Sequence, residues 1–208
     1  MKTNILSAYK ESHKHLPANN KFFELLEKYK GKEIDFNGRR EFLLEWNKWV
    51  GQKNNSCHHL HLGDLCFDMT NPEFREELSI LIDKGKNWNF SYLNFPNVYF
   101  RNSSFLQKVV FSKAKFLQEA HFSGTTFEEN ADFLGTSFLS EADFSDLTSL
   151  KELNFSLSTF AGEVTFYDLA IKKGARLLSY CQIRIIYWNM MLQLEEMVIR
   201  IQKIIVNQ

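Results

Sequence analysis

Phenylalanine sets the period of this chain. Phe90, Phe95, Phe100 and Phe105 fall five residues apart. From there the gaps alternate six and five through Phe111, Phe116, Phe122, Phe127, Phe133, Phe138 and Phe144. Phe155, Phe160 and Phe166 continue the same count. An α-helix closes a turn in about 3.6 residues, and a strand alternates faces every two. Neither period yields a five–six alternation, so the chain must build a repeated unit that turns a corner once per Phe.

Divided into elevens from residue 106, the chain reads LQKVVFSKAKF, LQEAHFSGTTF, EENADFLGTSF, LSEADFSDLTS, LKELNFSLSTF and AGEVTFYDLAI. The sixth place is Phe in every unit, and the fourth is apolar throughout: Val109, Ala120, Ala131, Ala142, Leu153 and Val164. The eleventh place holds Phe116, Phe127, Phe138, Ser149, Phe160 and Ile171. Each unit has two halves, and small residues such as Ala114, Thr125, Thr136 and Ser158 stand two before the second large one. Residues two apart point to one face of a strand, so each half sends a large and a small side chain inward. Short strands joined by tight turns at fixed spacing stack into a solenoid whose coils lie about 4.8 Å apart. Upstream, Trp88, Leu93, Val98 and Ser103 precede Phe90, Phe95, Phe100 and Phe105 by two, which starts the repeat near 88. Fainter echoes appear at 34–38 and 60–67.

Ala131-Asp132-Phe133 and Ala142-Asp143-Phe144 resemble the A-(D/N)-(L/F)-x-x consensus of the pentapeptide-repeat family, across residues 88–171. The resemblance implies a mainly β fold: a right-handed, four-sided β-helix of about four coils, with the central Leu or Phe inside. This chain departs from the strict five by one residue in alternate halves, which makes a coil of 22 residues rather than 20, with the surplus at corners. Phe111, Phe133 and Phe155 are then expected in one ladder, and Phe122, Phe144 and Phe166 in another. The resemblance further implies a non-enzymatic protein, and some members imitate duplex DNA and engage type II topoisomerases.

Solenoid ends expose strand edges and apolar core, and need caps. Residues 21–28 and 41–50 read as short amphipathic helices, and 73–84 as a third behind Asn71-Pro72. The division is therefore a mostly helical capping region over 1–87 with isolated repeat-like strands, a β-helix over 88–171, and an apolar helix over 172–208. In that tail Ile183, Tyr187, Met190, Leu194, Met197, Ile201 and Ile204 form a stripe of alternating gaps of four and three. It reads as a cap, or as a homodimerisation helix. Membrane contact through 176–208 is the remaining reading, although Arg184, Glu195, Glu196, Arg200 and Lys203 interrupt any long apolar run.

A hydrophobic fraction of 44% excludes a disordered chain. The first residues show no apolar run of leader type, and three cysteines cannot all pair, so a cytoplasmic protein is expected. The formal charge is zero, yet residues 117–171 hold ten acidic side chains against Lys151 alone. Among these Glu119, Glu128, Glu129, Asp132, Glu141, Asp143, Glu152 and Glu163 form the candidate interaction surface.

For chemistry, the densest cluster is Cys57, His59, His61 and Cys66, with His58 and Asp64 between them. Cys and His are zinc donors, but the spacing matches no paired arrangement. Leu60, Leu62, Leu65 and Phe67 instead fit two half-units, which turns His59 and His61 outward. No nucleophile elbow, phosphate loop, H-E-x-x-H or kinase signature is present, so no catalytic residue and no cofactor is assigned. No basic stripe crosses the rod, and direct nucleic-acid binding is not expected. The reading is a protein-interaction scaffold using outward polar faces. An acidic DNA mimic acting on a DNA-binding enzyme is the alternative.

Overall fold

The computed structural model describes residues 5–31, 36–171, 177–178 and 182–183. Three helices open it: α1 (Ile5–His13), α2 (Pro17–Tyr29) and α3 (Phe36–Val50). Pro17 sits in the first turn of α2, where its missing N–H costs nothing. Phe22, Leu25, Leu26 and Tyr29 bury one side of that helix, and Phe42, Trp46 and Val50 bury the facing side of α3. Phe22 meets Trp46 edge to face at 4.9 Å.

The solenoid follows in rungs. The first comprises β1 (His59–His61), β2 (Cys66–Phe67), β3 (Trp88–Asn89) and β4 (Asn94–Phe95). The second is β5 (Asn97–Tyr99), β6 (Ser104–Phe105), β7 (Val109–Val110) and β8 (Lys115–Phe116). The third is β9 (Ala120–His121), β10 (Thr126–Phe127), β11 (Ala131–Asp132) and β12 (Ser137–Phe138). The fourth is β13 (Ala142–Asp143), β14 (Thr148–Ser149), β15 (Leu153–Asn154) and β16 (Thr159–Phe160). A fifth adds β17 (Val164–Thr165), β18 (Ala170–Ile171), β19 (Leu177–Leu178) and β20 (Gln182–Ile183).

Strands four apart in this order pair in parallel, giving four five-stranded sheets. These are face 1 (β1, β5, β9, β13, β17), face 2 (starting at β2), face 3 (starting at β3) and face 4 (starting at β4). The fold is thus a parallel β-solenoid of about four turns behind a few helices. Residues 60–67 are hydrogen-bonded rungs: Leu60 registers with Val98, and Phe67 with Phe105. Between β2 and β3 the chain inserts α4 (Pro72–Glu77), whose first turn is capped by the Asn71 carboxamide accepting from Glu73 N–H. The expectations placed on 172–176, 179–181 and 184–208 lie outside the described residues.

Register partners Val98, Ala120, Ala142 and Val164 stand 22 residues apart, and the corners explain that length. Corners leaving faces 1 and 3 are tight, each with one residue of positive φ two places after the inward one: Asp64, Tyr92, Asn102, Lys113, Gly124, Gly135, Asp146, Leu157 and Asp168. From the second rung onward, the corners from face 2 to face 3 carry one residue more and no positive φ. The corners from face 4 to face 1 gain the same residue from the third rung. The surplus therefore sits at two of the four corners, and the tight ones reverse direction by visiting the left-handed region.

Four ladders of rings fill the interior. Phe90, Phe111, Phe133 and Phe155 stack at 4.8–5.0 Å. Phe95, Phe116, Phe138 and Phe160 stack at 4.7–4.8 Å. Phe100, Phe122, Phe144 and Phe166 stack at 5.0–5.2 Å. Phe67, Phe105 and Phe127 begin the fourth ladder, which Ser149 ends. Rings of neighbouring ladders meet edge to face, as Phe111 and Phe122 do at 85°. Parallel stacking along the axis and edge contact across it are both favoured aromatic geometries, so the ring column satisfies both at once. The small inward residues are not inert: Thr125 Oγ1 donates to Phe100 O, Thr136 Oγ1 to Phe111 O and Ser158 Oγ to Phe133 O, one coil back. Each buried hydroxyl is thereby paired.

Candidate interaction surface

With the rings committed to the core, any surface for recognition lies on the outward positions. The acidic residues divide by corner. Glu119, Glu141 and Glu163 occupy one register position at the corner entering face 1, because Ala120 N–H donates to Glu141 O and Ala142 N–H to Glu163 O. At the far border of face 1, Asp146 and Asp168 share another position, with Asp143 on the face between. Glu128, Glu129 and Glu152 stand at the corner between faces 2 and 3, and Asp132 stands on face 3. One side thus gathers six carboxylates, and four more stand elsewhere. Glu141 and Glu163 are exposed, and neither carboxylate is hydrogen-bonded or ion-paired among the described residues.

Asp132 and Asp143 differ from the glutamates because the turn uses them. The carboxylate of Asp132 accepts from Leu134 N–H and that of Asp143 from Ser145 N–H, both at 3.0 Å. Asn89 and Asn154 do the same with their carboxamides. This is an Asx turn, and it explains the Asp or Asn before the central Phe. Burial pushes the Asp143 carboxyl up, but the Ser145 hydroxyl and amide, with Arg101 and His121 nearby, hold it below the usual range.

Lower on face 1 the outward column is aromatic. Tyr9 and His13 of α1 stack at 4.1 Å, His13 lies 5.5 Å from His61, and His61 lies 4.5 Å from Tyr99. Tyr99 in turn stacks on His121 at 4.5 Å. His59 reaches the Tyr99 hydroxyl at 3.1 Å. His121 contacts Arg101 Nη2 through Nδ1 and Glu119 Oε2 through Nε2, each at 3.1 Å.

The sequence cluster of possible zinc donors is split by this arrangement. His59 and His61 lie on face 1, Cys66 on face 2, and Cys57 precedes β1 with its thiol on Asn54 O. Among the described residues no group of three or more His, Cys, Asp or Glu is placed to hold a metal ion.

Sequence reasoning missed the residues that close the first rung. Asn19, fully buried, accepts from His61 N–H and donates to His61 O, so its carboxamide takes the place of a strand beside β1. Trp46 Nε1 donates to Asn94 O while Asn47 Oδ1 accepts from Asn94 N–H, which does the same for β4. Arg39 directs its guanidinium to Ile80 O, Asn89 O and Ser91 O. Burial pushes Arg39 down to about 10, against the pull of Asp83. Nothing in the sequence marks these four, since a polar residue on a helix reads as solvated until its partner is placed.

Among the described residues no helix is long and apolar enough to cross a membrane. No curated protein and no solved structure matches the chain. Residues 90–137 match a family model described as pentapeptide repeats (9 copies). With its Phe ladders inside a four-faced parallel solenoid, the segment 90–137 carries pentapeptide repeats.

Proposed function

We propose that this protein is a non-enzymatic interaction scaffold whose face 1 receives a basic surface of a partner protein. The supporting observation is the stacked row Glu119, Glu141 and Glu163, facing Asp146 and Asp168 across Asp143. A rigid solenoid holds these carboxylates at fixed spacing, so little ordering is needed on binding. The core offers no comparable feature, since its polar groups are spent on the backbone. The test compares retention of a co-purifying partner by the wild type, by Glu141→Lys/Glu163→Lys, and by Glu128→Lys/Glu129→Lys. The reading expects loss of the partner with the first pair and retention with the second. Equal retention by all three refutes it.

DNA mimicry is the second reading, and charge density favours it. Three rungs span roughly 10 Å at about 4.8 Å each, a length over which duplex DNA presents about six charges. Face 1 carries six carboxylates there. Under this reading a DNA-binding enzyme such as a type II topoisomerase binds the protein, and duplex DNA displaces it. Binding that persists unchanged under excess duplex favours the simpler scaffold.

A further inference from the structure

The outward ring column joins two separate parts of the molecule. Tyr9 and His13 belong to α1, whereas His61, Tyr99 and His121 stand on successive rungs of face 1. Among the described residues, the joint between α1 and the solenoid is the place in this column where one imidazole lies against another. We propose that this His13–His61 joint is a pH-sensitive latch, closed at neutral pH and opened by protonation, which releases α1 from the solenoid.

The chemistry on each side of the joint supports this. His13 Nδ1 lies 2.8 Å from the Ser12 hydroxyl and 3.0 Å from Tyr9 O, which fixes the ring at the end of α1. Within α1 a charged His13 still lies against the Tyr9 ring, and within face 1 a charged His61 still lies against Tyr99; both are favourable cation–ring contacts. Across the joint, the contact between the two imidazoles becomes repulsive, whereas the repulsion of His61 by His59 and Arg101 lies within the solenoid and is present with or without α1. The groups facing His61 are His13 from α1, His59 from its own strand, Arg101 and Tyr99 from the next rung, and Asp64 at the corner. Of the charged groups among these, Asp64 alone attracts a charged ring. Burial first, then His13 and His59, hold His61 below the ordinary histidine value. Higher on the face, His121 is fixed between Arg101 and Glu119, with Asp143 beside them, so it does not supply a counter-charge.

Two further features suit a latch. The Tyr9 hydroxyl is buried with no hydrogen-bond partner, a cost that release of α1 removes. Other anchors of α1 include the fully buried Leu6 side chain, Glu73, which accepts from Leu6 N–H, and the Lys10–Glu77 ion pair. Burial would raise Glu77, but Lys10 and Lys30 hold it below the usual carboxylate range, so that pair persists while histidines titrate. The docked helix therefore responds to protons at the His13–His61 joint rather than at the ion pair.

The test is amide hydrogen exchange of the full chain at pH about 7.5 and about 5.5, expressed as protection factors, with histidine titrations followed by NMR. Burial and its cationic neighbours hold docked His61 below the ordinary histidine value, so protonation favours release and the docked form is lost as pH falls. Protection of α1 is therefore expected to fall severalfold at the lower pH, while β9–β16 keep theirs. His61→Gln is expected to abolish most of that fall, and His13→Gln part of it. In His13→Gln, His61 is expected to titrate at higher pH than in the wild type, a readout that stands even if a variant docks poorly. Protection of α1 that ignores pH, a loss shared equally by the whole solenoid, or an unmoved His61 titration overturns the latch.

Discussion

At the scale of single residues the tight corners carry the sharpest consequences. Leu157 holds φ +60° with its side chain 68% exposed, so a branched residue sits in a region that disfavours it and gains no burial in return. A β-carbon in that region costs roughly 1–2 kcal/mol, partly offset in any glycine variant by extra freedom of the unfolded chain. Leu157→Gly is expected to raise stability by about 1 kcal/mol in a urea titration. The sign reverses at Gly124, φ +67°, where a β-carbon would stand 2.5 Å from Asn102 Oδ1. Gly124→Ala is expected to lower stability by about 1–2 kcal/mol in the same titration. Asp143 makes a prediction about pH. Its carboxyl lies below the ordinary value, so its contribution is complete above pH about 4 and is lost as pH falls through the depressed value. Asp143→Asn keeps the turn bond, as Asn154 does, and is expected to flatten the acid limb of the stability–pH profile. An acid limb identical to wild type refutes that role.

At the scale of elements, β14 shows how a broken ladder is compensated. On face 2, β6 and β10 place a small residue two before a Phe: Ser103 precedes Phe105 and Thr125 precedes Phe127. Here the order is inverted: Leu147 precedes Ser149, and both are fully buried. The exchange roughly conserves volume, which cores tolerate well. Ser149→Phe alone is expected to cost about 1–3 kcal/mol by overpacking. Adding Leu147→Thr recovers most of it, and a double-mutant cycle with no coupling contradicts the exchange. The capping helices act through single side chains at strand edges. Asn19→Ala leaves both polar groups of the His61 peptide without those partners, at about 1–3 kcal/mol. Its signature is selective: exchange is expected to speed at β1 before β9 or β13, and uniform acceleration counts against an edge cap.

At the scale of the whole molecule the ring ladders make the solenoid one cooperative body. Phe133 stacks on Phe111 and Phe155 and meets Phe122, Phe127, Phe138 and Phe144. A carboxylate there has no partner within the apolar column, so Phe133→Asp is expected to unfold the solenoid. Retention of β-type circular dichroism and of the wild-type melt contradicts this. The ladders were legible because period and residue type coincide: a Phe every five or six residues leaves one way to bury them all. The first rung was harder to read. Leu60 and Phe67 keep the spacing, but the insertion carrying α4 separates them from β3, and a single unit has no neighbour to confirm it.

The repeat by itself determined the solenoid, the ring ladders and the outward direction of the acidic residues, because periodic burial is a local property that each unit states again. Which carboxylates share a corner was also countable, once a coil of 22 residues was given. Tertiary structure alone decided that Asn19, Arg39, Trp46 and Asn47 close the first rung, and that His13 meets His61. Those contacts join segments about 40–50 residues apart in chain, with no period linking them. A helix side chain acquires such a partner only when the helix docks, and docking is set by packing of the apolar faces of α1, α2 and α3 against the first coil.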